Sequence, residues 1–185
     1  GMFSPAAAAI NRDTGELATY SRGTLTLLRR GEGERYERRL EKKLEGESAD
    51  AVVLAYGGDT LYFGWVNAAG YGDLDIWAVA RSGGDWGTPW NLGPTVNTAG
   101  HESRPFVTID GSELWFTGTS GLGYHGPAIF RSTRTEEGWG EPEEIISNYA
   151  AEPCLDENGT IYFIHHFMTA GEEMIEADVY VCRRL

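Results

Sequence analysis

The chain has 185 residues, and its 28 Asp and Glu against 15 Lys and Arg leave a net charge of −13. That balance argues against a protein that grips a nucleic-acid backbone, and no apolar run approaches the roughly 18 residues of a membrane span. At 41% hydrophobic and 12% aromatic the chain can build a core, and its 25 Gly point to many tight turns.

From the N-terminus, Gly1 ahead of Met2 reads as a tag remnant. Met2–Ile10 is mildly apolar, but it lacks a positive start and is too short for a secretion signal, which points to the cytoplasm. Asp13-Thr14-Gly15-Glu16-Leu17 reads as a turn leading into a strand, and Leu25–Arg30 as the next strand. Residues 29–47 then hold seven of the 15 cations beside six Glu. Tyr36, Leu40 and Leu44 suit either a short helix or a solvated outer strand, because the three share both spacings. Mixed charge of this kind reads first as a solvated face, and otherwise as a docking surface for an acidic partner.

Beyond residue 47 the chain repeats. Leu61-Tyr62-Phe63, Leu114-Trp115-Phe116 and Ile161-Tyr162-Phe163 are one apolar-aromatic-Phe triplet, each after a Gly-containing turn. Asp75-Ile76-Trp77 answers to Ala128-Ile129-Phe130 and Asp178-Val179-Tyr180, and Trp86-Gly87-Thr88-Pro89 to Trp139-Gly140-Glu141-Pro142. The N-terminal segment is a weaker copy. The units fall at 2–47, 48–98, 99–147 and 148–185, within a single domain spanning 2–185. Each unit reads as strands a to d, with strand d of the third running from near Trp139 to Ile146. Repeated four-stranded units of about 50 residues predict an all-β fold, a small β-propeller of about four blades. The chain ends after strand c of the last unit, so the fourth blade is incomplete or completed at its edge. Either a small ring closes with a three-stranded blade, or a second chain covers the open edge as a homo-oligomer. Cys154 and Cys182, two strands apart in that blade, are too distant for a disulfide, so free thiols are expected.

The segments Asp75–Trp77, Trp86–Gly93, Val96-Asn97, His101–Pro105 and Asp110–Phe116 together resemble the WD40-like PD40 repeat of TolB-type propellers. That resemblance implies a propeller used mostly for binding, an envelope or extracellular setting, and usually six blades, more than 185 residues supply. Ser132–Trp139 is also similar to the Asp-box of sialidases, but the required Asp is absent, so it reads as a shared turn solution.

In this architecture the a–b turns and c–d loops share one face, and the long b–c loops and d–a connections share the other. All four His lie on the elaborated face, with Trp65, Asp75, Tyr124, Tyr149 and several acids and aromatics. The leading expectation is a non-catalytic module that binds a protein, peptide or glycan there through His101, Glu102, Arg104, Tyr124, His125, Tyr149, Glu152 and His165. The alternative is a small glycoside hydrolase-like enzyme using Glu102 and Glu152 as paired carboxylates, against a reading in which Glu102 pairs with Arg104 or caps a turn. No cofactor is expected. A metal site could draw on His101, Glu102, His125, His165 and His166, but no ligand-type spacing supports it, and the same residues read equally as exposed loop histidines.

Overall fold

The computed structural model describes residues 7–183, apart from 12–13, 22, 45–47, 55–58, 123–125 and 172. Phe3-Ser4-Pro5, which faintly echoes the Trp86–Pro89 segment, falls outside them. The described strands form four antiparallel sheets arranged as a four-bladed β-propeller, with a single 3₁₀ turn at Glu32–Glu34 as helix.

Blade 1 is β1 (Ala7–Ile10), β2 (Leu17–Ser21), β3 (Thr24–Arg30) and β4 (Tyr36–Lys43), in that order. The charged segment is therefore a strand. In β4 most residues face solvent while Leu40 packs inward, and its Arg38–Glu41 and Arg39–Glu37 pairs are exposed. Pairs of that kind add little stability. Two other contacts tie blade 1 to blade 2: Lys42 Nζ donates to Gly87 O at 2.7 Å, and Arg81 meets the Glu16 carboxylate at 3.2 Å.

Blade 2 contains β5 (Ser48–Leu54), β6 (Thr60–Val66), β7 (Asp75–Ser82), β8 (Asp85–Trp86) and β9 (Trp90–Asn91). Blade 3 contains β10 (Ser103–Val107), β11 (Glu113–Thr119), β12 (Pro127–Thr135), β13 (Gly138–Trp139) and β14 (Glu143–Ile146). In both, the continuous outer strand expected from the sequence is two short pieces paired to the same neighbour. The interruption falls at Gly87-Thr88-Pro89 and Gly140-Glu141-Pro142, where proline offers no N–H for the ladder. Blade 4 is β15 (Ala150–Leu155), β16 (Ile161–Met168) and β17 (Met174–Cys182). Cys154 and Cys182 are exposed and form no disulfide with each other.

The repeated triplet explains how blades stack. Strand side chains alternate between faces, so the first and third members of the triplet face one neighbour and the middle one faces the other. Leu61 and Phe63 join Leu25 and Leu27 of blade 1. Tyr62 joins Leu114 and Phe116 of blade 3. Trp115 joins Leu155 and Ile161 of blade 4. Each seam is thus a separate apolar layer, and every fully buried large side chain in it contributes about 1.5–3 kcal/mol of transfer free energy. Trp77 and Trp86 lie in the first seam and Trp139 borders the second. Blades pack in sequence order, and no packing of comparable extent joins blade 4 to blade 1 among the described residues. Among the described residues no helix is long and apolar enough to cross a membrane.

A buried polar node fixes the connection after blade 2. Asn97 accepts a hydrogen bond from Ile76 N (2.7 Å) and donates to Ile76 O (2.9 Å) and Asn91 Oδ1 (2.8 Å). The Asp75 carboxylate accepts from Tyr71 N, Gly72 N and Asn91 Nδ2. Short polar side chains here replace the ladder bonds that the broken strand cannot make.

Candidate functional site

The b–c loops and d–a connections do meet on one face: Asp73 N donates to Gly100 O, Leu74 bridges His101, and His166 N donates to Tyr149 O. Two sequence candidates on this face turn inward instead. Trp65 is 6% exposed and packs edge-on against Trp77 in the first seam, because strand alternation carries it to the blade 1 side. Asp75 is buried in the polar node just described.

The inner strands supply the main feature. β10 and β15 each shift register between their flanking ladder pairs, at Ser103/Phe106 and Ala151/Cys154. The residues in these bulges are Arg104-Pro105 and Glu152-Pro153. Arg104 has φ 51° and Glu152 φ 58°, in the left-handed region that side-chain-bearing residues seldom occupy. Proline contributes by disfavouring the right-handed helical region for the residue before it. Thr117 Oγ1, on blade 3, accepts from Glu152 N at 2.9 Å and holds the second bulge in place. The two bulges aim their side chains at each other, and Arg104 Nη1 meets Glu152 Oε1 at 2.9 Å across the seam. The side chains remain 42% and 37% exposed, so the pair is open to solvent.

Glu102 is separate from this pair. It is 2% exposed, and its carboxylate accepts from Thr98 N (2.9 Å) and Thr98 Oγ1 (2.6 Å). Of the sequence alternatives it follows turn capping rather than pairing with Arg104. Burial pushes its carboxyl above the usual carboxylate range and the Asp75 charge adds to that, against the Thr98 hydrogen bonds and His101. The native state therefore binds this proton more readily than the unfolded chain does. Stability from this group rises as pH falls through the native pKa and levels off below the ordinary value of 4.5. Glu102→Gln keeps an acceptor for Thr98 N and a donor for its hydroxyl. It is expected to fold and to show a less favourable change in melting temperature than the parent between neutral pH and pH 4.5; equal changes would remove Glu102 as the source.

Around the ion pair are aromatic surfaces. Tyr149, with φ 63°, lies so close over Gly126 that a Cβ there would fall 2.3 Å from its ring. His165 packs with Phe167 (centroids 4.8 Å) and Tyr180 (5.7 Å), and its Nδ1 is buried without a hydrogen-bond partner among the described residues. Phe167 and Tyr180 were not singled out by sequence, although Phe167 shares a strand face with His165 and Tyr180 flanks it in the register. His101 is exposed, and His166 points to the opposite face of β16 from His165. Tyr124 and His125 lie outside the described residues. Among those described, no three His, Cys, Asp or Glu side chains cluster as metal ligands.

Two clefts open elsewhere on these blades. One of about 380 Å³ opens between blades 2 and 3, with Glu102, Phe116, Phe130 and Glu144 in its wall. A larger one, about 480 Å³, lies on the trimmed face between the a–b turns of blades 3 and 4. Its Asp110 and Asp156 sit below the usual carboxylate range, the first chiefly through the Thr108 hydroxyl and the second through Thr160 N–H.

No family model matches the chain, and no curated protein does. Solved structures do. TolB from Acinetobacter baumannii superposes with a TM-score of 0.63 at 17% identity, covering 96% of this chain and 40% of its own. The Myceliophteria thermophila Cps50 (Swd1) β-propeller domain gives 0.60 at 12% identity, covering 96% and 59%. The periplasmic gluconolactonase PpgL of Pseudomonas aeruginosa gives 0.58 at 11%, covering 94% and 56%. At these identities the likeness establishes the propeller fold, and the chain spans about half the length of the structures it matches.

Proposed function

We propose that this chain is a binding module of PD40-type repeats, whose ligand is a peptide, a glycan or a protein displaying one of them. The ligand sits over the inner strands of blades 3 and 4, on the b–c/d–a face. The Arg104–Glu152 pair carries this reading. Two non-glycine residues in the left-handed region cost about 1–3 kcal/mol each, while a half-exposed ion pair returns about 1 kcal/mol at most. Stability alone does not account for that arrangement. A fixed guanidinium fork beside a fixed carboxylate does suit the carboxylates, amines and hydroxyls of such ligands. Tyr149, His165, Phe167 and Tyr180 supply flat surfaces for a sugar ring or an apolar side chain. The PD40 reading rests on Asn91, Val96 and Asn97 recurring in that repeat's order around the polar node.

The propeller fold hosts enzymes as well as binding proteins, so fold does not choose between them. A carbohydrate-active enzyme using Glu102 and Glu152 draws support from the raised pKa of Glu102 in a cleft wall, which keeps its proton to higher pH and suits a proton donor. Both oxygens of Glu102 are taken by Thr98, however, and Glu152 is engaged by Arg104.

The test is a screen of peptide and glycan arrays followed by calorimetry on the hits. Arg104→Ala is expected to change stability by no more than about 1 kcal/mol and to weaken binding at least about tenfold. Glu152→Gly relieves the backbone, so it is expected to match the parent or gain about 1 kcal/mol and still lose binding. Ligands that bind both variants as well as the parent would sink the proposal. Turnover of aryl glycosides that is lost in Glu102→Gln would favour the enzyme.

A further inference from the structure

Blade 4 carries its acids and its stacked rings on the same face. In the register Tyr180 lies opposite Phe163, Asp178 opposite His165 and Glu176 opposite Phe167, so all six side chains stand on the side that packs against blade 3. The other side, with Tyr162, Ile164, Val179 and Val181, holds no Asp, Glu, Lys or Arg of β16 or β17. Phe163 and Tyr180 stack at 5.7 Å between centroids, and Phe167 lies 6.4 Å from Tyr180.

Blade 3 leaves the outer part of this face uncovered. Its main contacts with blade 4 go to β15. Trp77 and Phe130 hold the place of Tyr180 in blades 2 and 3, each opposite the Phe of the triplet. Trp77 is 6% exposed in the first seam and Phe130 packs in the second, whereas Tyr180 is 42% exposed. Glu176 and Asp178 are exposed as well, and no hydrogen bond or ion pair engages either of them among the described residues.

We propose that this face takes a lysine or arginine side chain of a peptide ligand, its cation over the Tyr180 and Phe167 rings and beside the Asp178 and Glu176 carboxylates. The inference rests on the binding reading above and names the chemistry of the ligand there. A ring face holds a cation within about 6 Å of its centroid, and the two acids lie at alternate positions of β17 along the same rings. A sugar hydroxyl can bond to either acid, but only a cation also gains from both charges and from the −13 of the whole chain. Distance favours a peptide over a small amine. In the order β15-β16-β17, the acids of β17 stand two strand spacings, about 10 Å, from β15, where Glu152 meets Arg104. A free amine reaches one of these places; an extended peptide of about three residues spans both.

The test is an array of short peptides printed in pairs, each Lys or Arg as such and as its uncharged counterpart, acetyl-lysine or citrulline, with fluorescence polarisation on the hits. Hits are expected to be rich in Lys or Arg, and neutralising the engaged residue is expected to weaken binding at least about tenfold. Glu176→Gln with Asp178→Asn, at exposed positions, is expected to keep the circular dichroism and melting of the parent. It should weaken the same peptides at least about tenfold and flatten their salt dependence. Glu136→Gln with Glu137→Gln removes the same charge from an exposed turn on the trimmed face and is expected to bind as the parent does. So is Val179→Thr, on the other side of β17. Peptides that need Arg104 but bind equally well once neutralised would overturn the cationic site and leave the binding module standing. Spermidine that displaces the hits at their own concentration would overturn the choice of a peptide. An array without peptide hits would overturn the inference, and glycan hits would then decide the broader reading.

Discussion

Trp115→Ala is expected to lower the free energy of unfolding by about 3–5 kcal/mol, the largest effect of any single substitution considered. The indole is 1% exposed and sits between blades 3 and 4 against Ile129, Leu155 and Ile161. Its Nε1 donates to Glu113 at 2.9 Å, and the Arg131 guanidinium lies 5.9 Å from its ring. Removing it opens a cavity bounded by two rigid sheets that cannot collapse together, and it leaves Glu113 without that donor. Trp115→Phe retains most of the volume and should lose about 1–2 kcal/mol. Urea unfolding at fixed protein concentration measures both; a loss near 1 kcal/mol for the alanine variant would mean that the seam yields freely, against the packing described.

Asn97→Ala is expected to cost about 2–4 kcal/mol, though it removes few atoms. The side chain satisfies both the N–H and the C=O of Ile76 in a dry setting. Alanine leaves the buried Ile76 N without its acceptor and leaves Ile76 O to the Leu92 N–H at 3.1 Å, and Asn91 loses its contact as well. Asn97→Asp should be worse at neutral pH. It keeps the acceptor for Ile76 N but loses the donor and sets a second buried charge near Asp75. Burial raises the pKa of such an acid, so the aspartate variant should regain stability as pH falls through that value. Melting curves at neutral and acid pH check the order; an aspartate variant as stable as the parent at neutral pH would show that water reaches the node.

The blade seams were legible because period-two alternation in a repeated triplet is a local property. Leu61, Tyr62 and Phe63 declare two buried faces wherever the strand is placed. The outer strand at Tyr36–Lys43 was ambiguous because Tyr36, Leu40 and Leu44 fit both periods; pairing with β3 decides it. The break at Pro89 and Pro142 was written in the sequence as missing donors, yet the strand was expected to be continuous. The Arg104–Glu152 contact was not legible. The residues are 48 apart, and their meeting depends on two backbone bulges and on how blade 4 leans on blade 3. The only local sign was proline after each.

The sequence alone determined that this protein is all-β, built of repeats, and acidic outside one charged strand. Those properties follow from alternation, turn residues and composition, which act over a few residues. Tertiary structure decided which polar groups meet. It buried Glu102, Asp75 and Asn97 as structural bonds, left Arg104 and Glu152 open at a seam, and exposed an uncharged face on the last blade. Burial and long-range pairing depend on the stacking of whole sheets, and no short stretch of sequence encodes that.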